Sequence, residues 1–177
     1  MTDTDATGTI LVAIDGSRNS MLAAGVAARM CRLLNAHLGL IHVLEVPPTL
    51  SFWVGVETRM KDEIRAQAEQ RLTDIAARMK DVCDIVPEFY ILEGLPEDEI
   101  SRVANERDGE LLMVIAGRHG VATETHSHLK LRRRAGHLTS KLAEQLRVPL
   151  MVVPPDVPLS HICPAMAEMH AGLPEAE

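Results

Sequence analysis

Two glycine-containing segments are the first features of this sequence that indicate chemistry. Asp15-Gly16-Ser17 ends one short apolar run, and Gly117-Arg118-His119-Gly120 ends another. Glycines let backbone N–H groups approach a phosphate closely, and the start of a helix adds a favourable partial positive charge. Gly136, just before a further predicted helix, is a third such feature. Each one alone is also typical of an ordinary turn, so only their combination predicts an anion or phosphate site.

Several well-defined motifs are absent from the sequence. It contains no GxxxxGK[ST] loop and no GxGxxG turn, which excludes the common nucleoside-triphosphatase and dinucleotide-binding patterns. It also lacks the HExxH and GxSxG motifs of metallopeptidases and hydrolases. These absences lower the expectation of a conventional enzyme.

Histidines and sulfur-containing residues give weaker signals. His119, His126, His128 and His137 surround a basic stretch, and a His-x-His pair is one pattern that binds zinc or copper. Glu124 is the only acidic residue in that stretch, so we expect no metal site there. We interpret His42, within an apolar run, as a hydrogen-bonded core residue. In the tail, Ile162, Met166 and Met169 are expected to pack against the body of the protein.

Alternating strand and helix patterns must position the glycine segments. Apolar runs rich in β-branched residues predict strands at 9–15, 38–44, 86–92, 111–116 and 149–153. Apolar residues at helical spacing predict helices over 20–34, 60–79, from Pro96 onward, and 138–146, with Ser17 or Asn19 as the first N-cap. The segment 49–56 is predicted to be irregular. Such alternation predicts a single α/β domain with a parallel sheet and helices on both faces.

Composition limits the partners and the compartment. The chain has 177 residues, 46% of them apolar, a net charge of -7 and only 2% aromatic residues. An acidic chain with so few stacking side chains is a poor nucleic-acid binder. No apolar run approaches the roughly 20 residues that would span a membrane, so membrane insertion is not expected. Three widely spaced cysteines and a polar N-terminus without leader character favour a cytoplasmic protein.

Four stretches in order resemble the universal stress protein (UspA-like) family. They read ILVAIDGS, LGLIHV, EGLPEDEI and RVPLMVV, and the resemblance runs from about Thr9 to Val153. It implies a five-stranded parallel sheet of order 3-2-1-4-5 and a homodimer formed through the last strand, Val148 to Pro154. The expected organisation is a flexible N-terminus (1–8), the family domain (9–154) with an extended basic flap (121–135), and a C-terminal extension (155–177).

Nucleotide-binding members of that family carry Gly-x2-Gly-x9-Gly-[Ser/Thr] between the fourth strand and the last helix. Here Gly117, Gly120 and Gly136 match the glycines, but 15 residues separate the last two, and His137 replaces the Ser or Thr. The resemblance implies that Asp15 holds the adenine or ribose and that the Val43 backbone faces adenine. The phosphates are expected along Gly117, Gly120, Gly136, Leu138 and Thr139, and Arg118, His119 and His137 are further predicted nucleotide-binding residues.

The two departures from the family pattern leave alternatives open. A protonated His137 would pair with a phosphate, whereas the same ring could instead fill the phosphate position. The longer flap ends in Lys130, Arg132, Arg133 and Arg134, which would either close over a triphosphate or form a solvated loop.

The sequence supports three alternative hypotheses of function. The first is a regulatory stress protein that binds ATP, with Mg²⁺, or AMP between strands one and four. The second is a nucleotide-free dimeric interaction module, an accessory to a transporter or enzyme, that senses another anion and has an unidentified protein partner. The third, at most, is a slow ATPase.

Overall fold

The computed structural model describes residues 7–45, 54–107, 109–118, 137–158 and 162. Within these residues, strands and helices alternate along the chain. The strands are β1 (Thr9–Ala13), β2 (His37–Leu44), β3 (Glu88–Glu93), β4 (Leu111–Gly117) and β5 (Leu150–Val153). The helices are α1 (Arg18–Leu34), α2 (Val54–Cys83), α3 (Pro96–Glu106) and α4 (His137–Gln145).

The five strands of the described residues form one parallel sheet of order β3-β2-β1-β4-β5, which confirms the expected order. The chain winds outward from β1 through β2 to β3, and then crosses back to β4 and β5. The winding direction therefore reverses between β1 and β4. In wound parallel sheets, ligands gather beyond the carboxyl ends of the strands at such a reversal.

Helices cover both faces of the sheet, as predicted. Alternate residues of β1 belong to different clusters of buried side chains, because successive side chains of a strand point to opposite faces. Ile10 and Val12 pack in a cluster that also contains buried residues of α1 and α2, including Leu72. Leu11 packs in the other cluster, with residues of α3 and α4 such as Leu142.

The first cluster also holds residues from less expected places. Ile162 in the tail is fully buried there, so this position of the tail packs on the α1–α2 face as predicted. Met166 and Met169 lie outside the described residues. Cys31 and Cys83 are buried in the same cluster, and Cys31 forms no disulfide.

Several element boundaries differ from the predicted ones. Ser17, not Asn19, is the N-cap of α1, since its Oγ accepts the backbone N–H of Ser20 at 3.2 Å. Helix α2 begins at Val54, so the irregular segment predicted to reach residue 56 was too long. Strand β3 begins at Glu88 rather than at 86, because Pro87 has no N–H to donate to a neighbouring strand.

Polar side chains join the parallel helices α3 and α4. Buried Glu97 in the first turn of α3 lies 3.5 Å from Lys141 Nζ, measured from its Oε1. One turn later, Ser101 Oγ donates to Gln145 Oε1 at 3.0 Å. A further turn on, Asn105 Nδ2 donates to the Gln145 carbonyl at 3.1 Å. We call these contacts the α3–α4 polar seam; it fixes the position of α4 along α3.

Candidate functional site

The two glycine-containing segments meet at the carboxyl end of the sheet. Strands β1 and β4 pair in parallel, with Val12 opposite Ile115, so the residues that follow them lie side by side. Asn19 Nδ2, in the first turn of α1, donates a hydrogen bond to the Arg118 carbonyl at 2.9 Å. The structure thus brings Asp15-Gly16-Ser17 and Gly117-Arg118 together at the reversal between β1 and β4.

The turn after β1 has a defined local geometry. The backbone N–H of Ser17 donates to Asp15 Oδ1 at 2.8 Å, which closes the turn around Gly16. Gly16 has a φ of 82°, a conformation that favours glycine. The first turn of α1 carries no acidic residue, and Arg18 stands exposed within it. This arrangement presents the positive end of α1 beside an exposed carboxylate.

Gly117 has a structural reason to be glycine. A Cβ atom there would lie 2.5 Å from the carbonyl oxygen of Asn19 and 2.7 Å from its carbonyl carbon. The sequence pattern suggested that this glycine leaves room for a phosphate, but in the structure that room is taken by the backbone of α1. The Arg118 N–H donates to Val153 O at 2.8 Å, while its side chain is exposed. Arg118 would therefore reach an anion through its guanidinium.

The other predicted site residues divide between described and undescribed parts of the chain. Val43 is half-buried in β2 and pairs with Leu92, beyond the last residue of β2 that pairs with β1. Leu138 and Thr139, both half-buried, lie in the first turn of α4. His119, Gly120 and Gly136, the flap 121–135 and the His137 side chain lie outside the described residues.

Sequence reasoning missed a cleft beside Asp15. It lies between the ends of β1 and β2 and helix α2, and its cavity volume is about 20 Å³, roughly the room that one water molecule needs. Its lining residues come from these three elements: Ile14, Asp15, Gly16, His42, Ala68, Arg71, Leu72 and Ile75. Arg71 Nη1 lies 4.0 Å from the position that a Gly16 Cβ would occupy. The helical spacing of α2 offered a signal, since Arg71 stands three and four residues from Ala68 and Ile75.

His42 forms the predicted hydrogen bond but is only half-buried. Its Nδ1 lies 2.6 Å from the carbonyl oxygen of Ile14, at one wall of the cleft. A carbonyl oxygen can only accept a hydrogen bond, so we assign the ring proton to Nδ1. The neutral ring then has its acceptor at Nε2. His42 is thus both a packing residue and a polar group of the cleft.

Three arginines bring positive charge to this edge of the described structure, which also carries the acidic first turn of α3. Arg18 follows β1, Arg118 follows β4, and Arg71 reaches from α2; all three are exposed. Within the described residues, no group of three potential metal-ligating side chains comes together. The described helices include none that is long and apolar enough to cross a membrane.

The family model of the universal stress proteins matches residues 7–154, and the chain belongs to this family. No curated protein matches the sequence significantly. Among solved structures, universal stress protein UspA from Lactobacillus plantarum is 19% identical, with a TM-score of 0.66, over 85% of this chain and 99% of that one. The likeness concerns the fold.

Two further structures of similar fold contain nucleotides. The universal stress protein from Archaeoglobus fulgidus in complex with dAMP is 19% identical, with a TM-score of 0.59, over 82% of this chain and 97% of that one. A universal stress protein in complex with cAMP is 18% identical, with a TM-score of 0.50, over 86% of this chain and all of the other.

Proposed function

We propose that this protein is a regulatory stress protein that binds ATP or AMP at the carboxyl ends of β1 and β4. The observation that carries the proposal is the contact between Asn19 and Arg118, which joins the two glycine-containing segments at the reversal of the sheet. The adjoining start of α1 and three exposed arginines suit an anionic ligand. The nucleotides in two family structures support an adenine compound.

The described charged residues suit different parts of such a nucleotide. Arg18 and Arg118 stand where phosphates would be attracted, and Asp15 lies on the side of the cleft, where a ribose hydroxyl could donate to its carboxylate. With ATP, Mg²⁺ would be held chiefly through the phosphates and water, as this ion prefers. The remaining predicted contacts, from Gly120, Gly136 and His137, are part of the same proposal.

The direct test of binding is to denature the purified protein and to analyse the supernatant for released nucleotide by ion exchange. In parallel, thermal unfolding is measured with and without ATP and AMP. We expect a nucleotide in the supernatant, or an increase of the melting temperature with added ligand, because a ligand of the folded state stabilises it. If no nucleotide is released and neither ATP nor AMP raises the melting temperature, the proposal is overturned.

Asp15→Asn supplies a sharper version of this test. The amide oxygen of asparagine can still accept the Ser17 N–H, so the turn is retained while the charge is lost. We expect adenosine and ATP to bind about tenfold more weakly. Asp62→Asn, at an exposed carboxylate of α2, is the matched control and should bind as the wild type does.

A nucleotide-free interaction module is the second candidate. It is favoured by the way α1 fills the space beside Gly117 and by the use of the Arg118 N–H within the sheet. Both features reduce the backbone groups available to a phosphate chain. Stabilisation by inorganic phosphate or bicarbonate, but not by ATP or AMP, would select this candidate. Phosphate release measured with ATP tests the third hypothesis, a slow ATPase.

Two further aspects belong to the same proposal. We propose a homodimer through β5 and its flanks, Val148 to Pro154, because β5 is an edge strand of the described sheet and Val152 is 39% exposed on it. An exposed apolar edge is protected when it pairs with a second chain. We also propose a cytoplasmic location, in keeping with the buried Cys31, which forms no disulfide.

A further inference from the structure

Strand β3 forms one edge of the sheet and is exposed along its whole length. In the strand order it has β2 on one side and no described strand on the other. None of its residues is buried, and Phe89 is 43% exposed. Strands of parallel sheets are usually buried on both faces. An edge with this much exposed surface is a place where a further strand can be added.

The backbone groups of β3 divide between the two sides of the strand. Gly94, directly after β3, donates its N–H to the carbonyl oxygen of Leu44 in β2 at 3.1 Å. Because successive residues of a strand direct their backbone groups to opposite sides, the even-numbered residues of β3 pair with β2. The N–H and C=O groups of Phe89, Ile91 and Glu93 therefore point away from the sheet. Within the described part of the chain, no hydrogen bond to these groups is formed.

The side chains of β3 lie on two faces beside these backbone groups. Ile91 packs against the cluster under α1 and α2, and Phe89 points to the same face because it stands two residues earlier. Tyr90 packs on the opposite face. There its hydroxyl donates to Glu88 Oε2 at 2.6 Å, and Cζ of Arg107 lies 5.5 Å from the centroid of its ring. These contacts hold the start of the strand in place, so a partner would meet a preformed surface.

Carboxylates stand at both ends of β3. Glu88 is 57% exposed and lies 3.6 Å from Arg107, which also contacts Glu110 at 3.4 Å. Glu93 is exposed, and no side chain of the described residues forms an ion pair with it. One arginine thus stands among three carboxylates, and the edge carries net negative charge. A segment with basic residues complements such an edge.

A second copy of this chain is a poor partner for the same edge. In an antiparallel pair of two β3 strands, the end of one strand lies beside the start of the other. Each end of the pair would then bring Glu93 of one chain near Glu88 of the other. Like charges on neighbouring strands destabilise such a pair.

We propose that the outer edge of β3 is a docking site for an extended segment of another protein, with alternating apolar residues and a Lys or Arg at each end. The backbone of the segment pairs with Phe89, Ile91 and Glu93, as in other complexes formed by strand addition. Its apolar side chains contact the Phe89 ring, and its basic ends pair with Glu88 and Glu93. Strand β2 separates this edge from β1, so the proposal is independent of nucleotide binding.

Amide hydrogen exchange, measured residue by residue by NMR, tests the alternation. The probe is the peptide KVTVTVK, acetylated and amidated at its ends. In the free protein, the amides of Phe89, Ile91 and Glu93 should exchange at least about tenfold faster than those of Tyr90 and Leu92, which pair with β2. An excess of peptide should slow the first three amides and leave the other two unchanged.

Two results of this experiment would overturn the proposal. Slow exchange of the three outward amides in the free protein would mean that the edge is already covered, by a second copy if the protection increases with protein concentration and otherwise by the chain itself. Exchange that an excess of peptide leaves unchanged would mean that the edge does not add a strand.

Two substitutions at one position separate backbone pairing from side-chain contact. Phe89→Pro removes the outward N–H, which edge strands tolerate, whereas Phe89→Val retains it; both remove the aromatic ring. Fluorescence anisotropy with labelled KVTVTVK should show at least about fivefold weaker binding by the proline variant than by the valine variant. Thermal unfolding verifies that both variants are folded. Equal affinities of the two folded variants would contradict pairing through the backbone.

The preference for a basic partner is tested with the peptide EVTVTVE. The wild type should bind KVTVTVK at least about tenfold more tightly at low ionic strength, and added salt should reduce the difference. Glu93→Gln should weaken this preference, whereas Glu144→Gln, at an exposed carboxylate of α4, is the matched control and should retain it. Equal binding of the two peptides by the wild type would overturn the assignment of a basic partner.

Discussion

The amide group of Asn19 donates to the carbonyl oxygen of Arg118 at 2.9 Å, although 99 positions separate the two residues in the sequence. This bond ties the first turn of α1 to the end of β4. Next to it, the backbone of Asn19 occupies the space in which a side chain at residue 117 would stand. The candidate site is therefore assembled by direct backbone packing, with no layer of side chains between α1 and β4.

Gly117→Ala should destabilise the fold more than its size suggests. The new methyl group would meet the Asn19 backbone at 2.5 Å, and neither backbone can move without shifting α1 or β4. We expect a loss of about 3 kcal/mol in the free energy of unfolding, at the upper end of overpacking effects. Urea unfolding followed by circular dichroism measures this loss. Asn19→Ala, which removes only the hydrogen bond, should cost about 1 kcal/mol. Equal effects of the two variants would contradict the packing described here.

Removing one or the other partner of the ion pair in the α3–α4 polar seam should destabilise the protein by different amounts. Lys141→Met leaves the carboxylate of Glu97, which is only 3% exposed, without its lysine partner. We expect about 1–2 kcal/mol of destabilisation, below the values for fully buried pairs because Lys141 is 40% exposed and Glu97 lies at the favourable start of α3. Glu97→Gln should cost less, since no buried charge remains.

Chemical denaturation of both single variants and of the double variant measures the coupling between Glu97 and Lys141. Lys80→Met, at an exposed lysine in the last turn of α2, serves as the control. Additive effects of Lys141→Met and Glu97→Gln would mean that the pair contributes nothing of its own.

Cys31 should make stability depend on pH in the alkaline range. Burial raises the pKa of its thiol to about 12 from an ordinary 9.0, because the thiolate is poorly solvated in the core. The unfolded chain loses this proton first. The contribution of Cys31 is therefore complete below about pH 9 and is lost as the pH rises towards about 12. The slope in that window approaches roughly 1.4 kcal/mol per pH unit.

Comparison with Cys31→Ala isolates this effect, since all other titrating groups are common to both proteins. The difference between their free energies of unfolding should shrink as the pH is raised above about 9. A constant difference across that range would show that the thiol titrates alike in the folded and unfolded chains.

Val152→Lys tests the proposed dimer edge. Val152 is exposed on the outer strand β5, and a lysine there would place a charge in the interface of a dimer formed through this strand. We expect a dimeric wild type and a monomeric variant by analytical ultracentrifugation. Val86→Lys introduces the same charge at a residue that is 73% exposed before β3, on the other side of the sheet, and should remain dimeric. Dimers with both variants would place the interface elsewhere.

The sheet was predictable from the sequence because its signals are local. Each strand is a short apolar run that ends at a turn residue, and Ser17 occupies the position where a helix needs a cap. The predicted start of β3 was wrong because a proline affects strand pairing at its own position: Pro87 cannot donate a backbone hydrogen bond, so β3 begins at Glu88. The strand order came from the family resemblance.

The site was only partly predictable, since its contacts join residues far apart in the sequence. Asp15 and Gly117 were found because each follows a strand. The role of Gly117 depends on how closely the backbone of α1 approaches β4, and no local sequence pattern encodes that distance. Arg71 was missed because it lies at the border of the apolar face of α2, and its reach over Gly16 depends on how α2 docks on the sheet.

The α3–α4 polar seam has a mechanical consequence. Glu97 pairs with Lys141 and Ser101 with Gln145 at the same sequence separation, so both contacts are satisfied in one alignment of the helices. Sliding α4 by one turn would bring Gln145 to Glu97 and leave Ser101 facing the residues after the helix. Intermediate positions satisfy neither. Helix α4, whose first turn carries Leu138 and Thr139, therefore has defined positions along α3 that lie one helical turn apart. A ligand that displaced α4 along α3 would move it by a whole turn.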